Sequence, residues 1–385
     1  MRVVICPDSF KESLEALAVA QSIQQGMERV WPEAHYDLVP LADGGEGTVQ
    51  ALVDATGGQW RKLEVTGPLG RPVQARFGLL GGKQQQAVIE MAEASGLHLV
   101  PAAERDPRKT TSWGTGELIL AALDEGAQSI ILGLGGSATN DGGAGMLQAL
   151  GARLLTSAGK PVAPGAQGLS ELATIDLDNL DARLARCRIE VACDVTNPLL
   201  GAQGASAIFG PQKGADEAMI EQMDGWLAHY GALLETLSGN KVIEVPGAGA
   251  AGGMGAAFIG ALQATLKPGI DLVMQAVGLE DRLQQADLVV TGEGRLDSQT
   301  MQGKTPAGVA RLAARYQVPV IALAGSLADD AAVLNKHGFV AVLGAVQRPA
   351  DLETALRLAP DWLARTAEQA ARLVALGGTL DWPSD

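Results

Sequence analysis

The chain has 385 residues, of which 47% are hydrophobic and 19% are charged, and its formal net charge is −15. This composition is typical of a globular protein and excludes a disordered chain. The acidic balance and the lack of any Arg-rich run argue against nucleic-acid and anionic-membrane partners. The length is sufficient for two domains that each bury a sizeable core.

The N-terminal segment alternates between strand and helix. Val3–Cys6 is a short β-rich run, and apolar residues at helical spacing predict a helix over Ser13–Val30. Tyr36–Pro40 and Gly47–Thr56 repeat this order. Because strands that alternate with helices are joined by right-handed crossovers, we expect these strands to lie parallel in one sheet.

The next segment breaks this alternation. Arg61–Thr66, Val73–Leu80 and Ala87–Met91 are β-rich runs separated by glycine-containing turns, which predicts an antiparallel meander. Antiparallel runs are foreign to a doubly wound sheet. We therefore predict an α/β fold with two α/β domains. A mixed domain with antiparallel strands, residues 66–285, is inserted into a Rossmann-like domain with a parallel sheet, residues 1–65 plus 286–385.

A glycine-rich loop follows a buried strand inside the predicted insertion. The strand around Ile130–Leu132 runs into glycines at 133, 135, 136, 142, 143 and 145, and a short apolar helix around Met146–Leu150 follows. A loop with few Cβ atoms lets backbone N–H groups approach a ligand, and a helix N-terminus adds partial positive charge. The pattern predicts an anion site. A second glycine loop, 247–255, fits a ligand cradle and close packing equally well.

The C-terminal third returns to strand–helix alternation, which predicts the remaining parallel strands. The elements are strand Ala286–Thr291, helix Thr305–Tyr316, strand Val318–Ala324, helix Asp329–His337, strand Val340–Ala345 and a long helix from Asp351 to about Leu376.

Acidic residues follow several of the predicted strands, and basic residues stand in the same loops or in neighbouring ones. The acidic set is Asp8, Asp43, Glu46, Glu90, Asp194, Glu293 and Asp297, and the basic set is Lys11, Lys213, Arg295 and Lys304. Ligands of parallel sheets bind at the carboxyl ends of strands, so we expect part of this set to converge. Gathered carboxylates require a divalent cation or a basic ligand group, which favours phosphoryl transfer.

Other function classes match less well. Gly303-Lys304-Thr305 resembles the end of a Walker motif, but Ser298 stands where its first glycine should be. The run from Gly133 to Ala138 matches a dinucleotide fingerprint, yet no acidic residue follows the next strand-like run, Ala152–Leu155, to hold a ribose. A nicotinamide-dependent hydroxy-acid oxidoreductase and a non-catalytic metabolite-binding protein therefore stay as alternatives.

Cellular location is indicated by the cysteines and by hydrophobicity. Cys6, Cys187 and Cys193 are odd in number and widely spread, which is typical of reduced thiols. No run of 18 apolar residues exists, and the short apolar start lacks the length of a signal peptide. We expect a cytoplasmic protein that does not bind membranes.

Nine motifs, in order along the chain, resemble the bacterial glycerate kinase family of the glycerate 2-kinase type. They are PDSFKESL (7–14), ADGGEGT (42–48), TGPLG (66–70), TTSWGTGEL (110–118), GLGGSATNDGGAGM (133–146), ACDVTNPL (192–199), FGPQKGA (209–215), PGAGAAGGMGAA (246–257) and TGEGRLD (291–297). The resemblance implies two α/β domains, ATP and Mg²⁺ as cofactors, and transfer of the γ-phosphoryl group to D-glycerate, giving 2-phosphoglycerate. Phosphorylation at the 3-hydroxyl and the oligomeric state (monomer or homo-oligomer) stay open.

The motifs also yield hypotheses for individual residues. Asp194 and Asp297, with Glu293, would hold Mg²⁺ or orient the glycerate hydroxyl, and one aspartate would act as general base. Lys11 and Arg295 would hold the substrate carboxylate or the moving phosphoryl group. The expected phosphate-binding residues are Gly135, Gly136, Ser137, Thr139 and Asn140, and the expected substrate-binding residues are Asp8, Ser9, Asp43 and Glu46.

Overall fold

The computed structural model describes residues 1–45, 47–82, 85–301 and 303–377. Its strands are β1 Arg2–Ile5, β2 His35–Leu38, β3 Gln59–Thr66, β4 Pro72–Leu79, β5 Gln86–Glu90, β6 Ser129–Gly133, β7 Arg153–Thr156, β8 Leu172–Asp176, β9 Arg188–Ala192, β10 Thr265–Lys267, β11 Leu288–Thr291, β12 Arg295–Leu296, β13 Val320–Ala324, β14 Ser326–Leu327 and β15 Phe339–Gly344.

The α-helices follow the same chain order. They are α1 Ala16–Glu28, α2 Thr48–Thr56, α3 Ala92–Ser95, α4 Trp113–Asp124, α5 Ala144–Ala149, α6 Ala205–Phe209, α7 Glu217–Ser238, α8 Ala250–Gly260, α9 Gly269–Ala276, α10 Leu279–Leu283, α11 Thr305–Ala314 and α12 Leu352–Gly377. Short 3₁₀ helices join several of them, and the helix predicted over Asp329–His337 is a 3₁₀ helix over Ala331–His337.

The chain divides into two compact units, and we propose that they are the two domains expected from the sequence. Unit 1 comprises residues 1–43, 50–55 and 273–385, and unit 2 comprises residues 44–49 and 56–272. The junctions lie at 55–56 and 272–273, whereas the sequence placed them at 65–66 and 285–286. One reason is that β3 pairs along its whole length with β4, so it belongs to the sheet of unit 2.

Unit 1 is built around a five-stranded sheet in the order β15-β13-β11-β1-β2, and every neighbouring pair is parallel. The three central strands, β13, β11 and β1, are short and almost wholly apolar, as expected for strands buried on both faces. Helices α1 and α12 pack closely together, and a Cβ atom at Gly26 of α1 would overlap the Ala364 carbonyl of α12. This is the predicted Rossmann-like arrangement.

Unit 2 contains a six-stranded mixed sheet in the order β10-β9-β6-β5-β4-β3. β10, β9, β6 and β5 are parallel to one another, while β5, β4 and β3 form the predicted antiparallel meander. The two sheets confirm the predicted fold class. Two long helices for which the sequence analysis made no prediction, α4 and α7, belong to this unit.

Strand β7 does not join the six-stranded sheet. It pairs antiparallel with β8 in a separate two-stranded sheet. A dinucleotide fold needs a second strand parallel to the first, ending beside the ribose, so the segment β6–α5–β7 is not such a unit. This geometry counts against the oxidoreductase alternative.

No helix in the described ranges combines the length and the apolar character that spanning a bilayer requires.

Candidate active site

The parallel sheet of unit 1 carries acidic side chains at the carboxyl ends of three adjacent strands. Asp8 follows β1, Asp43 follows β2, and Glu293 follows β11. We call these three residues the carboxylate cluster. The charges of Asp43 and Glu293 both act on Asp8, so the structure brings the three together as the sequence predicted for this part of the set.

Asp8 is held at the centre of the carboxylate cluster by a short network of hydrogen bonds. The Thr305 hydroxyl donates to Asp8 Oδ2 at 2.6 Å, and the Ser9 backbone N–H donates to Asp8 Oδ1 at 2.7 Å. Burial is the largest cause that raises the pKa of Asp8 to about 6, and the charges of Asp43 and Glu293 add to it, whereas the two hydrogen bonds oppose it. Asp8 is therefore poised to change protonation near neutral pH.

Glu293 contacts two residues of the segment that precedes α11. The Thr300 hydroxyl donates to Glu293 Oε1 at 2.7 Å, and Lys304 Nζ lies 3.5 Å from Glu293 Oε2. Burial raises the pKa of Glu293, and the Thr300 bond and the Lys304 charge oppose this rise. Lys304 therefore supplies a cation beside the carboxylate cluster.

Asp297 and Arg295 lie on the same loop of unit 1. Arg295 Nε is 3.9 Å from Asp297 Oδ2, and the Gln299 backbone N–H donates to Asp297 Oδ1 at 3.0 Å. The charge of Asp297 also acts on Glu293. The pair thus lies close to the carboxylate cluster, with the arginine side chain largely exposed.

Lys11 reaches this region through its backbone. Phe10 and Leu14, which flank it in the turn, form an isolated antiparallel β-bridge. The ideal Cβ position at Gly294 lies 3.7 Å from the Lys11 amide nitrogen. Glu12 has a φ of 64°, in the left-handed region that favours glycine. The lysine side chain itself is exposed, as a side chain that binds a substrate anion must be.

In unit 2, the glycine-rich segment after β6, residues 134–143, forms the glycine loop. Gly135 and Gly136 are exposed, while Ser137 is 7% exposed. The Leu97 N–H donates to the Gly136 carbonyl at 2.8 Å, and the Ala138 N–H donates to Ser95 at 2.9 Å. In the described part of the chain, the amides of residues 135–137 donate to no backbone oxygen, so they are available to an anion.

The inner end of the glycine loop is buried. Thr139 and Asn140 have no exposed surface, and Asn140 Nδ2 donates to the Ser206 hydroxyl at 2.9 Å. Thr139 Oγ1 and Asn140 Oδ1 make no hydrogen bond within the described ranges. These two predicted phosphate ligands therefore differ from Gly135 and Gly136, which face solvent.

Helix α5 begins directly after the glycine loop but has only six residues. A macrodipole is weak in so short a helix. Its start is fixed by Asp141, which accepts hydrogen bonds from the N–H groups of Gly143 and Gly145 and from Ser112. Backbone amides rather than the helix dipole are the source of positive potential in this loop.

The second glycine loop is a packing element. Its residues are buried, and α8 is interrupted at residues 251–253 by left-handed backbone. The Gly142 N–H donates to the Gly252 carbonyl at 3.0 Å. Of the two interpretations left open by the sequence, close packing against the glycine loop is the one that the contacts favour.

Asp194 follows β9 in unit 2. Its Oδ1 accepts a hydrogen bond of 2.9 Å from the Gly269 N–H at the start of α9, and the ideal Cβ position at Gly44 lies 3.2 Å from Asp194 Oδ2. Asp194 belongs to unit 2, whereas Glu293 and Asp297 belong to unit 1. Glu46 lies outside the described residues.

No three acidic, histidine or cysteine side chains among the described residues are placed to hold a metal ion by themselves. Mg²⁺ is usually bound by one or two carboxylates together with phosphate oxygens and water. The donor chemistry of Glu293 and Asp297 in unit 1, and that of Asp194 in unit 2, is therefore of the kind that binds a cation together with phosphate oxygens.

The structure places at these sites several residues to which the sequence analysis assigned no role. Thr300, Lys304 and Thr305 contact the carboxylate cluster, and Lys213 and Asp141 support the glycine loop. The Gly-Lys-Thr run was visible but was set aside because the Walker motif is incomplete. Lys213 belongs to the predicted basic set but has no assigned role there, because a single lysine is most often a solvated surface charge, and no local signal indicates its burial.

Comparisons with known proteins agree with one another. Residues 3–375 match the model of the glycerate kinase family. A glycerate kinase of Bacillus subtilis (strain 168) is 53% identical over 99% of both chains. A glycerate 2-kinase of Escherichia coli (strain K12) is 53% identical over 98% of this chain and 99% of its own. A crystal structure described as a glycerate kinase 2 of Salmonella typhimurium LT2 superposes with a TM-score of 0.91, at 54% identity over 99% of this chain and 100% of that one.

Proposed function

The chain belongs to the glycerate kinase family, and from this premise we propose that it transfers the γ-phosphoryl group of ATP to the 2-hydroxyl of D-glycerate. The name of the Escherichia coli relative, glycerate 2-kinase, supports the 2-hydroxyl as acceptor. Free thiols at Cys6, Cys187 and Cys193 suit a cytoplasmic enzyme.

The observation that carries the proposal is the group of unpartnered amides at residues 135–137. Two of these three residues are exposed, and they directly follow a parallel strand, where ligands of such sheets bind. Successive backbone N–H groups without partners bind phosphate oxygens well. We assign Gly135, Gly136 and Ser137 to the ATP phosphates. Thr139 and Asn140 would support this binding from the buried end of the loop.

The residues of unit 1 would act on the acceptor. Phosphoryl transfer depends on positioning and on charge stabilisation, with a base near the attacking hydroxyl. Asp8, Ser9, Asp43 and Glu46 would bind and orient D-glycerate, and Lys11 and Arg295 would hold its carboxylate or the moving phosphoryl group. Asp297 or Asp194 would accept the hydroxyl proton.

Mg²⁺ would be held by Asp194, Glu293 and Asp297 in combination with substrate oxygens. When bound, the cation neutralises charge on the phosphate oxygens. The carboxylates that bind it would also orient the acceptor. Lys304, at 3.5 Å from Glu293, favours the ionised form of that carboxylate and so opposes the effect of burial, which raises its pKa.

An ADP-release assay tests the activity. Purified protein with ATP and Mg²⁺ should release ADP only when D-glycerate is present, with L-glycerate as the control. Removal of Mg²⁺ with EDTA should abolish turnover, and added Mg²⁺ should restore it. Phosphorus NMR of the product then distinguishes 2-phosphoglycerate from 3-phosphoglycerate. ADP release that does not depend on D-glycerate, or glycerate oxidation with a nicotinamide cofactor, would contradict the proposal.

A further inference from the structure

Lys213 is a buried lysine of unit 2 that has no role in the reaction proposed above. Its side chain is 1% exposed, and Nζ donates a hydrogen bond of 2.6 Å to the Thr139 carbonyl. The residue ends the 3₁₀ turn Pro211–Lys213, and the ideal Cβ position at the following Gly214 lies 2.6 Å from the Arg105 carbonyl oxygen. The turn is therefore fixed by packing, and so is the direction of the lysine.

The burial of this ammonium group is unfavourable unless a partner inside the protein replaces the water that the group loses. Lysine is almost never fully buried without a partner. Burial lowers the pKa of Lys213 to about 7, and the charge of Asp141 opposes this change. Asp141 is itself fully buried and accepts the donors that begin α5. Burial also raises the pKa of Asp141, so the lysine and the aspartate are both ionisable groups held without water at the inner end of the glycine loop.

The Thr139 carbonyl is restrained by a second element. Gly252 has a φ of +68°, and a Cβ atom there would overlap the Thr139 carbonyl oxygen. The Gly142 N–H also donates to the Gly252 carbonyl. The ammonium of Lys213 and the backbone of α8 thus both fix the loop at this carbonyl, three residues after the exposed Gly136.

We infer that Lys213 is the positioning residue of the glycine loop: its bond to the Thr139 carbonyl keeps the amides of residues 135–137 oriented for phosphate. The lysine acts through the loop and does not touch the phosphate, because its side chain is buried. The inference rests on the proposed function, in which these amides bind ATP.

The test combines hydrogen exchange with steady-state kinetics on the full-length enzyme. Lys213→Met removes the charge and the donor but keeps a long side chain. Amide exchange of peptides covering residues 134–143, measured without nucleotide, should accelerate by about tenfold or more. KM for ATP should rise about tenfold, while kcat and KM for glycerate change by less than about twofold.

Two further variants separate positioning from general damage. Lys213→Arg keeps a cation and donors, and it should restore most of the exchange protection and the affinity for ATP. Tyr230→Phe removes a buried hydroxyl that has no partner in the described structure, from a ring that packs on Gly142, so it should leave both properties unchanged. If Lys213→Met does not fold, Lys213→Gln replaces it, since its side chain carries no charge and ends one bond short.

The outcomes have distinct meanings. Unchanged loop exchange in the Met or Gln variant overturns the inference, whatever the kinetics show. Loop exchange as fast in Lys213→Arg or in Tyr230→Phe as in Lys213→Met also overturns it. Faster exchange with an unchanged KM for ATP supports the positioning of the loop but contradicts its assignment to phosphate in the proposed function.

Discussion

The carboxylate cluster of unit 1 and the glycine loop of unit 2 differ in electrostatic character, since the first gathers acidic side chains and the second presents backbone N–H groups. Burial, together with the charges of neighbouring carboxylates, raises the pKa of Asp8 and that of Glu293, so the ionised cluster requires nearby cations. The loop exposes amides at its outer end, and its inner end buries Lys213 and Asp141, two ionisable groups of opposite type. The protonation of the cluster should change when a cation or substrate binds, whereas the conformation of the loop is fixed by buried hydrogen bonds. Substitutions at the buried inner end of the loop should therefore affect stability, substitutions at its exposed outer end should affect phosphate binding, and substitutions in the cluster should affect catalysis.

The largest effect on stability is expected for Asp141→Ala. The variant leaves Lys213 buried without its counter-charge and removes the acceptor of four hydrogen bonds, from the N–H groups of Ser112, Gly143 and Gly145 and from the Ser112 hydroxyl. We expect a loss of about 3–5 kcal/mol, which corresponds to a fall in the unfolding temperature of roughly 10 °C. Calorimetry measures it.

Asp178→Ala is the control, because Asp178 is an exposed aspartate of the same unit. Its unfolding temperature should stay within about 1 °C of wild type. A similar small change in Asp141→Ala would show that the hydrogen bonds of the buried aspartate do not support the loop.

Asp8→Asn should separate function from stability. We expect kcat/KM for D-glycerate to fall about 100-fold, because the central carboxylate of the cluster is lost. The pKa of Asp8 is raised to about 6 from an ordinary value of 3.8. Wild type therefore loses stability as pH rises from about 4 to about 6, where the buried carboxyl ionises, and the loss persists above pH 6.

The asparagine variant lacks this ionisation. In metal-free buffer it should be more stable than wild type by about 1–3 kcal/mol above pH 6, and the difference should vanish near pH 4. Urea unfolding at several pH values measures it. A variant that is less stable than wild type at pH 7 would show that the Thr305 and Ser9 hydrogen bonds outweigh the cost of burial.

Asp297→Asn and Lys11→Ala should each lower kcat/KM by at least about tenfold, or roughly 1.4 kcal/mol of transition-state stabilisation. Both residues lie close to the cluster, with Lys11 exposed and Asp297 partly buried. Their circular dichroism spectra and unfolding temperatures should match wild type. Wild-type rates in both folded variants would exclude Asp297 and Lys11 from the site.

The elements of the cluster and of the loop that can be predicted from the sequence are those that depend on local periodicity and composition. The strand Val3–Cys6, the meander over residues 61–91 and the loop after Ile130–Leu132 all have a periodicity or composition that the structure reproduces. Asp8, Asp43 and Glu293 were predicted to converge because parallel strands present their carboxyl ends on one edge.

The missed parts depend on packing between distant segments. Lys213 and Thr139 are 74 positions apart, and Asp8 and Thr305 are 297 apart. No pattern near Lys213 distinguishes it from a solvated lysine, because its burial is decided by the Thr139 carbonyl and by the charge of Asp141. The boundary predicted at residue 65 differs from the junction of the compact units at 55–56 for a similar reason, since β3 pairs with β4 in the sheet of unit 2.

The smallest effect, and the most direct test of the exposed amides, is expected for Gly135→Ala. Gly135 has no positive φ, and the nearest atom to its ideal Cβ position is 3.8 Å away, so the variant should fold as wild type does. A methyl group beside amides that bind phosphate should raise KM for ATP about fivefold, or roughly 1 kcal/mol, with KM for glycerate unchanged. Gly225→Ala is the matched control, because it makes the same change in α7, at an exposed position with no atom within 4 Å of the new carbon. Equal values of KM for ATP in the two variants would mean that the phosphates bind elsewhere and that the exposure of Gly135 and Gly136 serves no ligand.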